Sequence, residues 1–113
     1  MAMSAWADAS AALLLLAAAS FPNANAQTAA AKTHVVTIEN VTFSPQLLTV
    51  RRGDRVVWVN KDLFPHTATA EAGAFDSREI APQAYWTHVA RKPGEYAYFC
   101  TYHPTMKAKI IVR

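Results

Sequence analysis

The sequence predicts an all-β fold, a Greek-key β-sandwich of seven or eight strands. Three observations carry this. Short β-branched and apolar runs recur at roughly 8–12-residue spacing, separated by turn residues. No stretch after residue 26 sustains a 3.6-residue period. In the best-defined run, Tyr96, Tyr98 and Cys100 fall on one face and Ala97 and Phe99 on the other, the period-2 pattern of a strand.

The chain opens on something other than a strand. Residues 11–19 are Ala and Leu throughout. Nine apolar residues are far short of the ~20 that span a bilayer, but they suit the core of a secretory signal. They run all round a helix and leave no polar face for a surface helix. Ala24-Asn25-Ala26 then supplies small residues at the two positions that direct cleavage. The segment before Ala11 is atypical, because it has no Lys or Arg and contains Asp8. The reading is a signal peptide over 1–26, a loose leader over 27–32, one domain over 33–113, and a periplasmic product beginning at Gln27 with no membrane span in the mature chain.

The strands follow in order. Val35–Glu39 is apolar and β-branched, Val41–Phe43 continues it to Ser44-Pro45, and Leu47–Val50 is a further short strand. Arg52-Gly53-Asp54 is a turn, and Arg55–Val59 is the strongest strand, ended by Asn60-Lys61-Asp62. His66–Ala70 reads as extended, Phe75–Ile80 is ambiguous, and Pro82 ends it. Ala84–Ala90 is a strand in which either Trp86, His88 and Ala90 or Tyr85, Thr87 and Val89 face the core. Lys92-Pro93-Gly94 is a turn, Glu95–Cys100 a strand, and Lys107–Val112 closes the chain. Tyr96 sits where a Greek-key tyrosine corner places its Tyr, or is an ordinary core side chain.

Composition bounds the function. Cleavage would leave 87 residues, enough for one small core but not for a second domain or a large cleft. The single cysteine, Cys100, excludes an internal disulfide framework. Net charge is +3, and loss of Asp8 makes it +4, which favours an anionic partner or surface. The 11 basic residues are too dispersed for nucleic acid.

One constellation carries chemistry. Residues 100–106 read Cys-Thr-Tyr-His-Pro-Thr-Met. Three residues span at most ~10 Å, so a loop curling round one point can present thiolate, imidazole and thioether together. Each residue alone has a bland reading: a buried small hydrophobe, a surface His, a core-filling Met. Together they match the His₂Cys site with a weak axial Met that holds copper for electron transfer. The second His comes from His34, His66 or His88. His66 lies just past a turn, at a loop-to-strand junction, where sites are built on rigid sandwiches.

Phe64-Pro65-His66-Thr67 and Tyr96-Ala97-Tyr98-Phe99-Cys100 with His103-Pro104 and Met106 closely resemble the cupredoxins. Phe43-Ser44-Pro45, Gly53–Asn60 and Lys92-Pro93-Gly94-Glu95 match as well, so the resemblance covers nearly all of Val35–Val112. The short ligand loop is most like that of the amicyanins, the plastocyanins having a longer His-to-Met gap. The resemblance implies one copper ion held by His66, Cys100, His103 and Met106, no catalytic residues, and a role as a monomeric single-electron carrier rather than an enzyme. It also implies a redox protein partner, acidic if net charge decides, docking near His103. Family members often have Asn after the first His. Here it is Thr67, so a Thr67–Thr101 contact would tie the two ligand segments, and the Thr67 N–H would bond the sulfur. His88 would be a partly buried neutral imidazole. The alternatives are a protein that stores or delivers copper, a copper enzyme of the nitrite reductase or oxidase type, and a structural sandwich with a free thiol.

Overall fold

The computed structural model describes residues 30–113. The expected signal peptide, its cleavage point and half of the expected leader, residues 27–29, lie outside the described residues. Eight strands follow: β1 (Thr33–Glu39), β2 (Thr42–Ser44), β3 (Leu47–Val50), β4 (Arg55–Asn60), β5 (Thr69–Ala70), β6 (Tyr85–Val89), β7 (Gly94–Cys100) and β8 (His103–Val112). They form two four-stranded sheets, ordered β2-β1-β4-β6 and β3-β8-β7-β5. β1 pairs with β4, and β3 with β8, in parallel; the remaining pairs are antiparallel. The all-β sandwich is the architecture the turn spacing predicts.

The core is the inward alternation of both sheets. Val36, Ile38, Val56 and Trp58 from one sheet meet Tyr98, Cys100, Met106, Ile110 and Val112 from the other, all buried. Aromatic rings bridge the layers: Tyr98 packs edge-on against both Phe43 and Trp58 at 4.7 and 5.5 Å between centroids. Burial pushes the Tyr98 phenol up to about 12, so it stays neutral.

The open choice in β6 is resolved by Phe75. Its ring lies 4.9 Å from His88 and 6.2 Å from Trp86, so these residues face inward while Tyr85 and Thr87 are exposed. Burial first, then the Arg91 charge, holds His88 below the usual histidine range, so its imidazole is neutral. Tyr96 is a tyrosine corner, donating its hydroxyl to the Lys92 carbonyl at 2.6 Å. Gly94 precedes it at φ +153°, where a Cβ would come 3.4 Å from the Tyr96 hydroxyl oxygen.

Two segments depart from expectation. His66–Ala70 is a strand only at Thr69–Ala70, and His66 instead forms an isolated bridge to Ile80. The ambiguous 75–80 stretch therefore contributes single bridges, at Asp76 and Ile80, rather than a strand. The closing strand also begins earlier than Lys107. β8 starts at His103, and Cys100 pairs directly with His103 across a two-residue turn, with a register irregularity at Phe99/Cys100. The ligand segment is thus a tight hairpin, not a wide loop. The register jumps from Phe99↔Lys107 to Cys100↔His103, so residues 104–106 bulge from the ladder while the Cys100–His103 pair closes the tip.

Candidate metal centre

The site sits where β4, β7 and β8 converge at one end of the sandwich. Asn60, the last residue of β4, builds the first half. Its buried amide donates to the Phe64 and Ile80 carbonyls, both at 3.0 Å, and its oxygen accepts the Asp62 N–H at 3.0 Å. This staples 60–66 into a compact turn that ends with His66 in the interior.

His66 is fully buried, and its Nε2 lies 2.7 Å from Asp62 Oδ2. Burial alone would raise the Asp62 pKa, but the Val41 N–H, the His66 ring and the Asn40 N–H outweigh it and hold it below the usual carboxylate range. An ionised carboxylate can only accept, so Nε2 carries the proton and the Nδ1 lone pair is left free. That Nδ1 lies 3.6 Å from Cys100 Sγ.

The second half is the β7–β8 hairpin. Cys100 is a free, fully buried thiol. His103 Nδ1 lies 3.8 Å from its sulfur, and the two imidazole rings are 5.1 Å apart. The donor atoms of His66, Cys100 and His103 all lie within 4.8 Å of one another. The Thr67 N–H donates to Sγ at 3.3 Å. The Thr67 hydroxyl donates to Thr101 Oγ1 at 3.2 Å and accepts the Thr101 N–H at 2.9 Å. Thr67 therefore joins the two ligand-bearing segments.

The structure brings His66, Cys100 and His103 together. It places Met106 buried on the inward face of β8, three residues past His103. His34 lies elsewhere, its Nε2 2.9 Å from Asp54 Oδ2. Sequence reasoning missed Asp62 and Asn60. The i,i+4 spacing of Asp62 and His66 was the available signal. Two imidazole nitrogens and one cysteine sulfur, already converging, with His66 braced from behind by Asp62, form a soft, preorganised donor set that suits copper. Phe64 lies tilted against His103 at 5.8 Å between ring centroids, and the flanking Leu63 and Tyr102, next in sequence to Phe64 and His103, are 88% and 50% exposed.

The family model for the cupredoxin-like domain matches residues 9–112. The chain is a cupredoxin. It is 32% identical to the amicyanin of Paracoccus versutus over 83 residues, covering 69% of this chain and 63% of that protein. The chain thus spans less than two thirds of that relative's length. To a plastocyanin of Synechococcus it is 32% identical over 103 residues, covering 74% and 76% of the two chains. Among solved structures, an oxidised amicyanin mutant superposes with a TM-score of 0.67 at 27% identity, covering 71% of this cupredoxin and 81% of that chain. A copper-containing nitrite reductase from Thermus scotoductus superposes with a TM-score of 0.68 at 28% identity, but only 22% of that chain is matched.

Proposed function

We propose that this cupredoxin is a soluble blue copper protein that carries single electrons between redox partners. The observation that supports it most directly is the convergence of His66 Nδ1, Cys100 Sγ and His103 Nδ1. Those three residues would hold the ion, with buried Met106 as the proposed weak fourth ligand. Bound copper supplies a one-electron Cu(I)/Cu(II) couple.

The residues of the chain keep that couple fast. Asp62 and Asn60 fix His66, hairpin pairing fixes His103, and the Thr67 N–H bonds the sulfur, so little has to move when the charge changes. The core excludes water from Cys100 and His66, which are fully buried. His103 is the ligand nearest solvent, and the Leu63, Phe64 and Tyr102 surface around it suits brief docking of a redox partner.

Copper addition followed by visible spectroscopy and voltammetry tests the reading. An intense thiolate-to-Cu(II) band with a reversible couple is expected. A colourless Cu(I) protein that surrenders its metal readily would make it a storage or delivery protein. We also propose export to the periplasm with cleavage after Ala26, on the strength of the 11–19 run and Ala24-Asn25-Ala26. Mass spectrometry of the exported form should find a chain beginning at Gln27.

A further inference from the structure

The charge of this molecule is not where its redox centre is. Strand directions define two poles. The copper pole holds the ends of β4 and β7 and the start of β8. At the opposite pole β1, β4 and β7 begin and β3, β6 and β8 end, about 20 Å away along six-residue strands.

Seven of the 11 Lys and Arg side chains lie at this far pole, and all seven are exposed. Lys32 precedes β1. Arg51 and Arg52 follow β3, and Arg55 starts β4. Arg91 and Lys92 connect β6 to β7, and Arg113 follows β8. Backbone bonds lock these separate segments into one platform. The Arg52 N–H donates to the Arg113 carbonyl at 2.9 Å, the Arg55 N–H to the Lys32 carbonyl at 2.8 Å, and the Gly53 N–H to the Ala90 carbonyl at 2.6 Å. Arg51, Arg52, Arg113 and Pro93 line a shallow recess of about 480 Å³.

The charge is not neutralised locally. Asp54, within the platform, is buried and fully used: it accepts the Lys32 and Arg51 N–H groups and the His34 ring. Glu95, at the start of β7, is paired with Lys109 at 3.9 Å. Among the described residues no carboxylate pairs with any of the seven cationic side chains.

We propose that this pole is a docking surface for anionic phospholipid headgroups. Three features favour a lipid surface over an acidic protein. The cations come from three segments and from Arg113, spread across the whole end of the sandwich, which suits a plane of charge rather than one epitope. A specific protein interface needs buried aromatic or apolar anchors. Among the described residues every large exposed apolar side chain, Leu47, Phe64 and Tyr85 included, lies outside the loops of this pole. Five of the seven cations are Arg, whose planar fork matches phosphate oxygens bidentately. Docking by this end leaves the His103 surface facing away from the membrane, free to meet a soluble partner.

Each cation held near an anionic membrane strengthens partitioning about fivefold. The test is sedimentation of the full chain with phosphatidylcholine vesicles containing or lacking phosphatidylglycerol, at low and high salt. The wild-type protein should bind only the anionic vesicles and dissociate at high salt. The triple variant Arg51→Gln/Arg52→Gln/Arg113→Gln should bind roughly a hundredfold more weakly. Its backbone bonds are untouched, and circular dichroism checks its fold. The pair Lys61→Gln/Lys107→Gln, nearer the copper pole, should change little. Every variant carries the same 11–19 run, so the difference between them reports the pole alone. Equal binding to both vesicle types, or a triple variant that binds as well as wild type, overturns the proposal. So does binding to poly-glutamate without binding to anionic vesicles, which would assign the pole to an acidic protein.

Discussion

At the scale of single residues, the ligands differ in what their loss should do. With copper bound as proposed, the Cys100 sulfur would provide the charge-transfer band, so Cys100→Ser should abolish the blue colour, read by visible absorption. Met106→Leu should keep the colour and mainly shift the potential, as the proposed role of Met106 as a weak fourth ligand requires. If Met106→Leu loses copper as fully as Cys100→Ser, the proposed ranking of the ligands is wrong. Asp62 offers a finer test. Its carboxylate lies 2.7 Å from the His66 ring, on the side away from Cys100, and adds electron density to that imidazole. A more basic ligand favours Cu(II), so Asp62→Asn should raise the reduction potential, by about 59 mV for each tenfold loss of Cu(II) over Cu(I) affinity. Asp62 also accepts the N–H groups of Asn40 and Val41, at 2.7 and 3.0 Å, and both of those residues have positive φ. The variant will therefore also lose stability. Asp54 separates the two effects, because it holds a His ring and two N–H groups in the same way at the opposite pole. Asp54→Asn should destabilise the fold and leave the potential unmoved. Equal shifts in both variants would sink the electronic role of Asp62.

At the scale of elements, what could be read from sequence follows what is local. The edges of β3 and β4 were legible because turn residues bound them: Pro45 precedes β3, and Gly53 and Asp54 separate it from β4. Cys100, His103 and Met106 were legible because seven consecutive residues hold all three soft donors. The tyrosine corner was only half legible, since a Tyr before a core run has two uses. The structure decides it through a hydrogen bond over four residues. What was not legible depends on neighbours distant in sequence. Whether β6 turns Trp86 or Tyr85 inward is set by Phe75, and the length of β8 is set by its pairing with β7. Asp62 reaches back to Asn40 and Val41, some twenty residues away, and no local pattern announces that. The corner itself makes a prediction. Tyr96→Phe removes one hydrogen bond and keeps the ring, so it should cost about 1 kcal/mol in urea unfolding. The copper spectrum should not change, because Tyr96 lies at the start of β7 and Cys100 at its end.

At the scale of the whole molecule, two buried carboxylates do the work that a disulfide does in other small domains, one at each pole. Asp54 joins the leader through the Lys32 N–H, the end of β3 through the Arg51 N–H, and β1 through His34, while its carbonyl accepts the Ala90 N–H from the end of β6. Both sheets are therefore tied at that pole through one side chain and its backbone. The Lys32 and Arg51 N–H bonds, then His34, pull the Asp54 pKa far below the usual carboxylate range. The sign of the consequence is fixed. In the unfolded chain the group titrates near about 3.9, and in the folded chain only at much lower pH. The folded state thus binds fewer protons, and the linkage contributes stability that is complete above the unfolded pKa. As pH falls from about 5 through the unfolded value and on toward the folded one, that contribution drains away. Asp62 is shifted in the same direction and adds to the effect. The apo protein should therefore be close to constant in stability from neutral pH down to about 5 with respect to these groups, and weaken steeply below it. Urea midpoints at a series of pH values check this for wild type and Asp54→Asn. The variant should be less stable at neutral pH, and the gap between the two curves should close as the solution becomes more acidic. A gap that stays constant down to pH values near the folded titration would mean that Asp54 acts through shape alone and not through its charge.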